Sequence, residues 1–266
     1  MPEGDTLWRT AAALRPRLLN RKVLRASPVP LGRLAGRKMV AVEANGKHLL
    51  MRFEGDLILH SHMRMTGSWH IYAPGVTWRK PRRLARAVLE FEDVVAVAFN
   101  APVVELLRDE KTRVGHLGPD ILSEGFEPAE AVWLARLTDR VELGDVLLDQ
   151  RVCAGIGNIY KCEAMWIHQA NPWTPVAGMN DEELAEIYAT ARRLMREATA
   201  SRGFTARRAV HARGRRPCPR CGTAVDVRPQ GAHGRLTYYC ARCQGGPAEL
   251  RRPDAPPHPN KEASDA

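Results

Sequence analysis

The chain has no long hydrophobic run: its longest uninterrupted apolar stretch, Val94 to Phe99, is six residues. A membrane helix needs about 20, so a helical span is excluded. The N-terminus carries Glu3 and Asp5 where a secretory signal would have a basic segment leading into an apolar one. These two absences predict a soluble, non-exported protein of the cytoplasm or nucleoid, with no membrane partner. Cysteine is sparse, six in 266 residues, and four of the six fall in two Cys-x-x-Cys pairs. In a reducing compartment that pattern reads as metal binding in preference to disulfides.

Acid is nearly missing from one region. Residues 201–246 hold ten arginines and one acidic residue, Asp226, a local charge of +9 in a chain whose formal net charge is +10. A solubilising surface usually mixes both signs, whereas a one-signed field suits a polyanion, nucleic acid above a small substrate. Apolar residues are not in short supply. At 44% of the chain they suffice for a buried core, and at about 150 residues per domain the length predicts about two domains.

Leu7, Ala11, Leu14 and Leu18 recur at helical offsets and predict an amphipathic helix over residues 3–19. From 21 to 107 short runs rich in Val, Leu, Ile and Phe, over 38–42, 48–53, 57–62, 68–72, 86–91, 94–99 and 103–107, are punctuated by turn residues. They predict an antiparallel sandwich or barrel. Asn45-Gly46 between two runs predicts a type I′ hairpin turn, which puts Lys47 at the hairpin mouth. After Gly118-Pro119 the pattern turns helical, with helices expected over 129–137, 145–153 and 159–168. Asn180 and Glu183 form a capping box opening a helix to about residue 200, with Leu184, Ile187, Tyr188, Ala191 and Met195 along one face. The last segment, 247–266, with five prolines and mixed charge, is expected to be a disordered tail.

Cys218-Pro-Arg-Cys221 and Cys240-Ala-Arg-Cys243 are separated by eighteen residues, within the range of a four-thiolate structural zinc site. One Zn²⁺ with four thiolates has no open position for water, so the expected role is folding energy. A redox dithiol fits poorly because no βαβ pattern surrounds either pair, and the His-x-Glu or Cys-x-Glu of a zinc deaminase does not occur. Cys153 and Cys162 are expected to be small buried residues in helices.

A proline after the initiator methionine is normally exposed by methionine removal, leaving Pro2 as a secondary amine beside the Glu3 carboxylate. An α-amino group titrates near 7.7 to 8.0 against about 10.4 for lysine, so much more of it is unprotonated and nucleophilic at neutral pH. Attack on a sugar C1′ would give an iminium with no N–H to lose, a fixed cation that acidifies the neighbouring carbon. The same tripeptide also opens ordinary proteins, with Pro at a helix N1 position and Glu favouring the N-terminal dipole.

Met1-Pro-Glu-Gly-Asp-Thr6, Asn45-Gly-Lys-His-Leu-Leu50, Ser61-His-Met-Arg-Met-Thr-Gly67, Gly118-Pro-Asp120, Asp149-Gln-Arg-Val-Cys-Ala-Gly-Ile-Gly-Asn158 and Arg235-Leu-Thr-Tyr-Tyr-Cys-Ala-Arg-Cys-Gln244 run in order through residues 1–246. Together they resemble the formamidopyrimidine-DNA glycosylase and endonuclease VIII (Fpg/Nei) family of DNA glycosylase/abasic-site lyases. The opening hexapeptide is more similar to the endonuclease VIII branch.

The resemblance implies an α+β multidomain fold. It comprises a catalytic β-sandwich with a leading helix over 1–125, a helix-two-turn-helix domain over 126–205 and a zinc finger over 206–246, with DNA in the cleft between the lobes. It also implies roles. Pro2 resembles the Schiff-base nucleophile and Glu3 the proton donor of the glycosylase step. Lys47 resembles the proton donor and phosphate contact that assists β-elimination. Arg235 resembles the arginine of phosphate clamping and δ-elimination, and Asn158 the asparagine that contacts the DNA backbone. The implied partner is duplex DNA with oxidised bases or abasic sites, bound by a monomer holding one structural Zn²⁺.

Taken singly, Lys47 and Arg235 also read as surface charges, and Asn158 as a helix cap. The basic run Arg79 to Arg86 reads as a solvated loop or a DNA contact. Arg64 and Met65 are candidates to fill the stack vacated by an extruded base, Met65 for its flexible apolar reach. They stand, with Thr66, where the endonuclease VIII pattern has Gln-Leu-Tyr, and His116 stands where it has an arginine. Oxidised pyrimidines are the expected substrates. Formamidopyrimidine or 8-oxoguanine preference, or a catalytically silent DNA-damage-binding protein, are the alternatives.

Overall fold

The computed structural model describes residues 2–201 and 208–247, so the expected tail lies outside the described residues from 248 onward. The chain divides into two compact units, the first built from 2–126 with 153–155 and 195–201, the second from 127–152, 156–194 and 208–247. No helix among the described residues is long and apolar enough to cross a membrane.

In the first unit, α1 (Gly4–Leu18) precedes eight strands: β1 (Arg25–Ser27), β2 (Met39–Asn45), β3 (His48–Phe53), β4 (Leu57–His62), β5 (Ser68–Tyr72), β6 (Ala85–Glu90), β7 (Val95–Phe99) and β8 (Val103–Leu107). They form two antiparallel four-stranded sheets, ordered β1-β6-β7-β5 and β2-β3-β4-β8, so the all-β region is a sandwich and not a barrel. Period-two alternation sends Leu49, Met51, Phe53, Leu57 and Leu59 of one sheet into the same core as Ala87, Leu89, Ala96 and Ala98 of the other. The apolar stripe of α1, Leu7, Ala11, Leu14 and Leu18, packs into that core as well. The unbroken run Val94 to Phe99 has a different cause. Strand β7 lies between two neighbours and is buried along its whole length, because its second face is covered by Tyr72, Trp78 and Leu84.

In the second unit, α3 (Pro128–Leu137), α4 (Leu143–Val146), α5 (Asn158–Ile167) and most of α6 (Asp181–Ala200) follow the short α2 (Lys111–Val114) of the first. The capping box of α6 is formed as the spacing requires: Glu183 N–H donates to Asn180 Oδ1 at 2.7 Å and Asn180 N–H to Glu183 Oε2 at 3.3 Å. Of the helix expected over 145–153 only the first two residues are helical, as the end of α4, which stops at Val146 with Leu147 as its cap. Beyond that cap Asp149 accepts the Arg151 N–H on Oδ1 at 2.9 Å, a local side-chain bond that competes with any resumption of helical pairing. Cys153 is consequently buried outside any helix, while Cys162 is buried within α5. Strands β9 (Asp226–Gln230) and β10 (Arg235–Tyr239) make a hairpin, followed by α7 (Ala241–Gln244).

The β2–β3 hairpin departs from the sequence expectation by one residue. Asn45 pairs with His48, so the two turn residues are Gly46 and Lys47, and of the two only Gly46 has positive φ, +54°. That is the φ pattern of a type II′ turn, whose first position favours glycine, in place of type I′. The tip is also crowded. A Cβ on Gly46 would lie 2.9 Å from Ala154 Cβ and 3.2 Å from Gly155 N. Gly46→Ala is therefore expected to destabilise the protein by about 1–3 kcal/mol, read as a lower denaturant midpoint. An unchanged midpoint would mean that the tip can lift away from Ala154 without loss.

Candidate active site and four-cysteine centre

Helix α1 begins at Gly4 with Glu3 as its N-cap residue, so Pro2 stands before the helix and not at its first position. The Glu3 side chain makes no capping bond and is only 1% exposed. A carboxylate placed merely to favour the helix dipole would sit in water; this one is enclosed beside the half-buried Pro2.

Four backbone segments converge beside this pair. Gly4 N–H donates to Gly155 O at 3.0 Å, Ala154 N–H to Pro119 O at 3.0 Å, and Ile121 N–H to Ala154 O at 3.0 Å. Asp120 completes the junction: Oδ2 accepts the Gly46 N–H at 2.8 Å and Oδ1 the Leu122 N–H at 2.9 Å. Burial raises the Asp120 pKa above the ordinary carboxylate range, opposed by those two amides. The turn carrying Lys47 and the start of α1 carrying Pro2 and Glu3 thus rest on the same two residues, Ala154 and Gly155. Lys47 itself is half-buried.

A histidine network lies next to Lys47 on the outer face of the β2-β3-β4-β8 sheet. Register sets His48 opposite His62, and His60 opposite Glu105. His60 Nδ1 is 2.9 Å from Glu105 Oε1, and His48 Nδ1 is 2.8 Å from His60 Nε2. A carboxylate only accepts, so His60 carries its proton on Nδ1 and accepts at Nε2 from His48. Burial, and then the neighbouring His62, His60, His116 and Lys47, push the His48 pKa down to about 3. Burial and the Arg64 charge push His62 down to about 4. These imidazoles are neutral at neutral pH, so the cations of this face are Lys47 and the arginines.

Arg64 and Met65 lie on the β4–β5 loop. Arg64 takes a left-handed backbone, φ +45°, and its N–H donates to His62 Nδ1 at 3.1 Å. Met65 is 62% exposed. His116 is exposed and faces His48 electrostatically.

In the second unit Asn158 is the first residue of α5, with Gly157 as the cap. Its Nδ2 donates to Leu236 O at 2.8 Å, which ties α5 to the residue after the exposed Arg235. The four cysteines come together: the sulfurs of Cys218, Cys221, Cys240 and Cys243 all lie within 4.8 Å of one another. Cys218 and Cys243 are 4.0 Å apart and Cys221 and Cys240 3.4 Å, with all four unbridged. Sulfurs 2.3 Å from one tetrahedral ion would be about 3.8 Å apart, so the donor set fits a single four-coordinate metal. Trp166 Nε1–H donates to Cys218 Sγ at 3.4 Å, and the buried Glu163 accepts the amides of Ala209, Val210 and His211 at 2.8–3.1 Å, anchoring the chain that enters the cluster.

Sequence reasoning does not single out Asp120, the Ala154-Gly155 seat or the His48–His60–Glu105 chain. Gly118-Pro-Asp120 and the Ala-Gly-Ile-Gly segment are visible as motifs, but their pairing joins residues far apart in the chain.

Comparison with known proteins accords with this geometry. Residues 1–102 match the formamidopyrimidine-DNA glycosylase N-terminal domain, 117–209 its H2TH domain, and 216–245 a zinc finger found in FPG and IleRS. The chain is 41% identical to a probable endonuclease 8 2 of Streptomyces coelicolor, over 93% of this chain and 95% of that one. It is 36% identical to the DNA-(apurinic or apyrimidinic site) lyase Nei2 of Mycolicibacterium smegmatis, over 92% and 99%. It is 32% identical to a formamidopyrimidine-DNA glycosylase of Thermus thermophilus, over 92% and 99%. Among solved structures, the MutM (FPG) protein of Thermus thermophilus aligns with TM-score 0.76 at 29% identity, covering 92% and 99%. Lactococcus lactis Fpg, bound non-covalently to DNA containing an abasic site, shares the fold at TM-score 0.79 and 20% identity, covering 91% and 99%. The chain belongs to the formamidopyrimidine-DNA glycosylase and endonuclease VIII family of DNA glycosylases and abasic-site lyases.

Proposed function

We propose that this chain excises oxidised bases, pyrimidines first, from duplex DNA and then cuts the abasic strand by successive β- and δ-elimination. The observation that carries the reading is the enclosed Glu3 carboxylate, which does not cap its helix, beside Pro2, on the same Ala154-Gly155 seat as the Lys47 turn.

With the initiator methionine removed, the Pro2 nitrogen attacks C1′ of the damaged nucleotide while the N-glycosidic bond breaks. Glu3 supplies protons during departure of the base and sugar-ring opening. The resulting iminium acidifies C2′. Loss of a C2′ proton with departure of the 3′ phosphate is β-elimination, assisted by Lys47 as proton donor and phosphate contact. Arg235 then holds the 5′ phosphate for δ-elimination through a two-pronged guanidinium contact. Asn158 contacts the DNA backbone through an amide that carries two N–H donors, Arg64 and Met65 enter the vacated stack, and His116 contacts DNA. Cys218, Cys221, Cys240 and Cys243 hold one Zn²⁺, which when bound supplies folding energy and no open coordination site.

The pyrimidine preference is supported by the opening hexapeptide and by the endonuclease 8 relative at 41% identity. Arg64-Met65-Thr66, which departs from the endonuclease VIII pattern, favours keeping formamidopyrimidine and 8-oxoguanine lesions as the competing substrates.

Borohydride reduction in the presence of an abasic-site oligonucleotide tests the chemistry. Untagged protein is expected to form a covalent adduct that Pro2→Ala loses, and no adduct from the untagged chain would leave a silent DNA-binding protein. Glu3→Gln should abolish excision of an intact damaged base yet keep some cleavage of a preformed abasic site, because an aldehyde has no base to expel. Equal loss of both activities would count against that division.

For the metal, the parent is expected to bind about one zinc per chain. Cys240→Ser should lose metal and DNA affinity while circular dichroism reports the bulk fold retained. Full DNA affinity without metal would refute the structural role.

A further inference from the structure

Lys161 lies in the middle of α5 and is 0% exposed. Its Nζ donates to Thr237 Oγ1 at 2.7 Å, the Thr237 hydroxyl donates to Gln230 Oε1 at 2.8 Å, and Gln230 Nε2 donates to Glu142 Oε2 at 2.9 Å and to Pro172 O at 2.8 Å. A carboxylate and a backbone carbonyl only accept, so Gln230 turns its Nε2 to Glu142 and Pro172, its Oε1 accepts from the Thr237 hydroxyl, and that hydroxyl accepts from Lys161, which fixes the direction of every bond in this chain. Thr237 and Gln230 are buried, although they belong to an otherwise largely exposed hairpin.

Space is reserved for the network. A Cβ on Gly144 would lie 2.2 Å from Gln230 Oε1, and one on Gly231 2.1 Å from Asp145 Oδ1. Glycine at both positions lets the hairpin meet the segment around α4 at backbone distance.

The two hairpin members of the network bracket Arg235. Gln230 is its cross-strand partner, and Thr237 stands two residues along β10 on the same face. Asn158 adds a third hold on the residue between them through Leu236 O. The four-cysteine cluster holds the chain at Cys221 and before, nine residues ahead of Gln230, and from Cys240 onward, five residues past Arg235, so the tip of the hairpin lies beyond its direct grip. We propose that Lys161, Thr237 and Gln230 are positioning residues that aim the Arg235 guanidinium, so that δ-elimination depends on this hydrogen-bonded chain as well as on the metal. The inference rests on the role given to Arg235 above.

Full-length untagged Thr237→Val, Thr237→Ser and Arg235→Ala proteins are compared on an oligonucleotide with a preformed abasic site. Bound zinc, borohydride trapping and the ratio of δ to β product are read together. Valine keeps the shape of threonine and removes the hydroxyl. A guanidinium displaced by about 1 Å loses up to a hundredfold in rate, so Thr237→Val is expected to lower the δ product about tenfold to a hundredfold. Its zinc content and trapping yield should be retained, and Thr237→Ser, which restores the hydroxyl, should recover the parent ratio. If Arg235→Ala suppresses δ-elimination and Thr237→Val does not, the positioning network is overturned alone. If Arg235→Ala leaves the ratio unchanged, the role of Arg235 falls and the inference falls with it. Loss of zinc or of trapping in Thr237→Val also overturns the proposal, because the network would then be a general determinant of folding.

Discussion

Gly155 carries a backbone load that no other residue type could bear at that point. Its φ is +108°, and a Cβ there would sit 3.1 Å from Ile121 Cγ2. Its carbonyl takes the first amide of α1, and its nitrogen lies 3.2 Å from where a Gly46 side chain would begin. Two glycines, Gly46 and Gly155, therefore allow a helix N-terminus, a hairpin tip and a loop to approach at main-chain distance. Pro2, Glu3 and Lys47 owe their neighbourhood to that approach. The backbones that carry these three residues are joined directly, by main-chain hydrogen bonding and close glycine approach.

The same economy governs the charges around Lys47. Two histidines, His48 and His62, interact with it, and each would repel it if protonated. Burial, and then the neighbouring charges, push both pKa values well below neutrality, to about 3 and about 4, so the face has a cationic amine without a crowd of competing cations. In the second unit the opposite device is used. Lys161 is a buried amine that donates into a directed chain of acceptors, and Glu163 a buried carboxyl group that accepts three consecutive amides. Both lie on α5, which makes this one helix the anchor for the start of the cysteine module and for its hairpin.

What the sequence made legible follows from how local the determining physics is. The strands β3, β4, β5 and β8 coincide with their apolar runs because alternation is decided within five or six residues. The capping box at Asn180 is equally local. The turn at Gly46-Lys47 is displaced by one residue because the seat on Ala154, more than 100 positions away, dictates which residue needs positive φ. The helix expected over 145–153 stops at Val146 and does not resume, because the Asp149 side chain takes the Arg151 amide. At the candidate site, Pro2, Glu3, Lys47 and the four cysteines can be named from motif and spacing. Asp120 and the Lys161–Thr237–Gln230 chain cannot, since their meaning lies in pairings across 74 and 76 positions.

The first unit is not a continuous piece of chain: Cys153–Gly155 belongs to it, although the residues on either side belong to the other unit. A gene segment ending near residue 126 would encode Pro2, Glu3 and Lys47 and both sheets, yet would omit Ala154 and Gly155, the two residues on which the helix start and the hairpin tip rest. The two units are thus not interchangeable modules. Exchange of one unit between relatives carries an obligation at Ala154 and Gly155, which ties the inheritance of the Pro2-Glu3 pair to that of a loop encoded between stretches of the other unit.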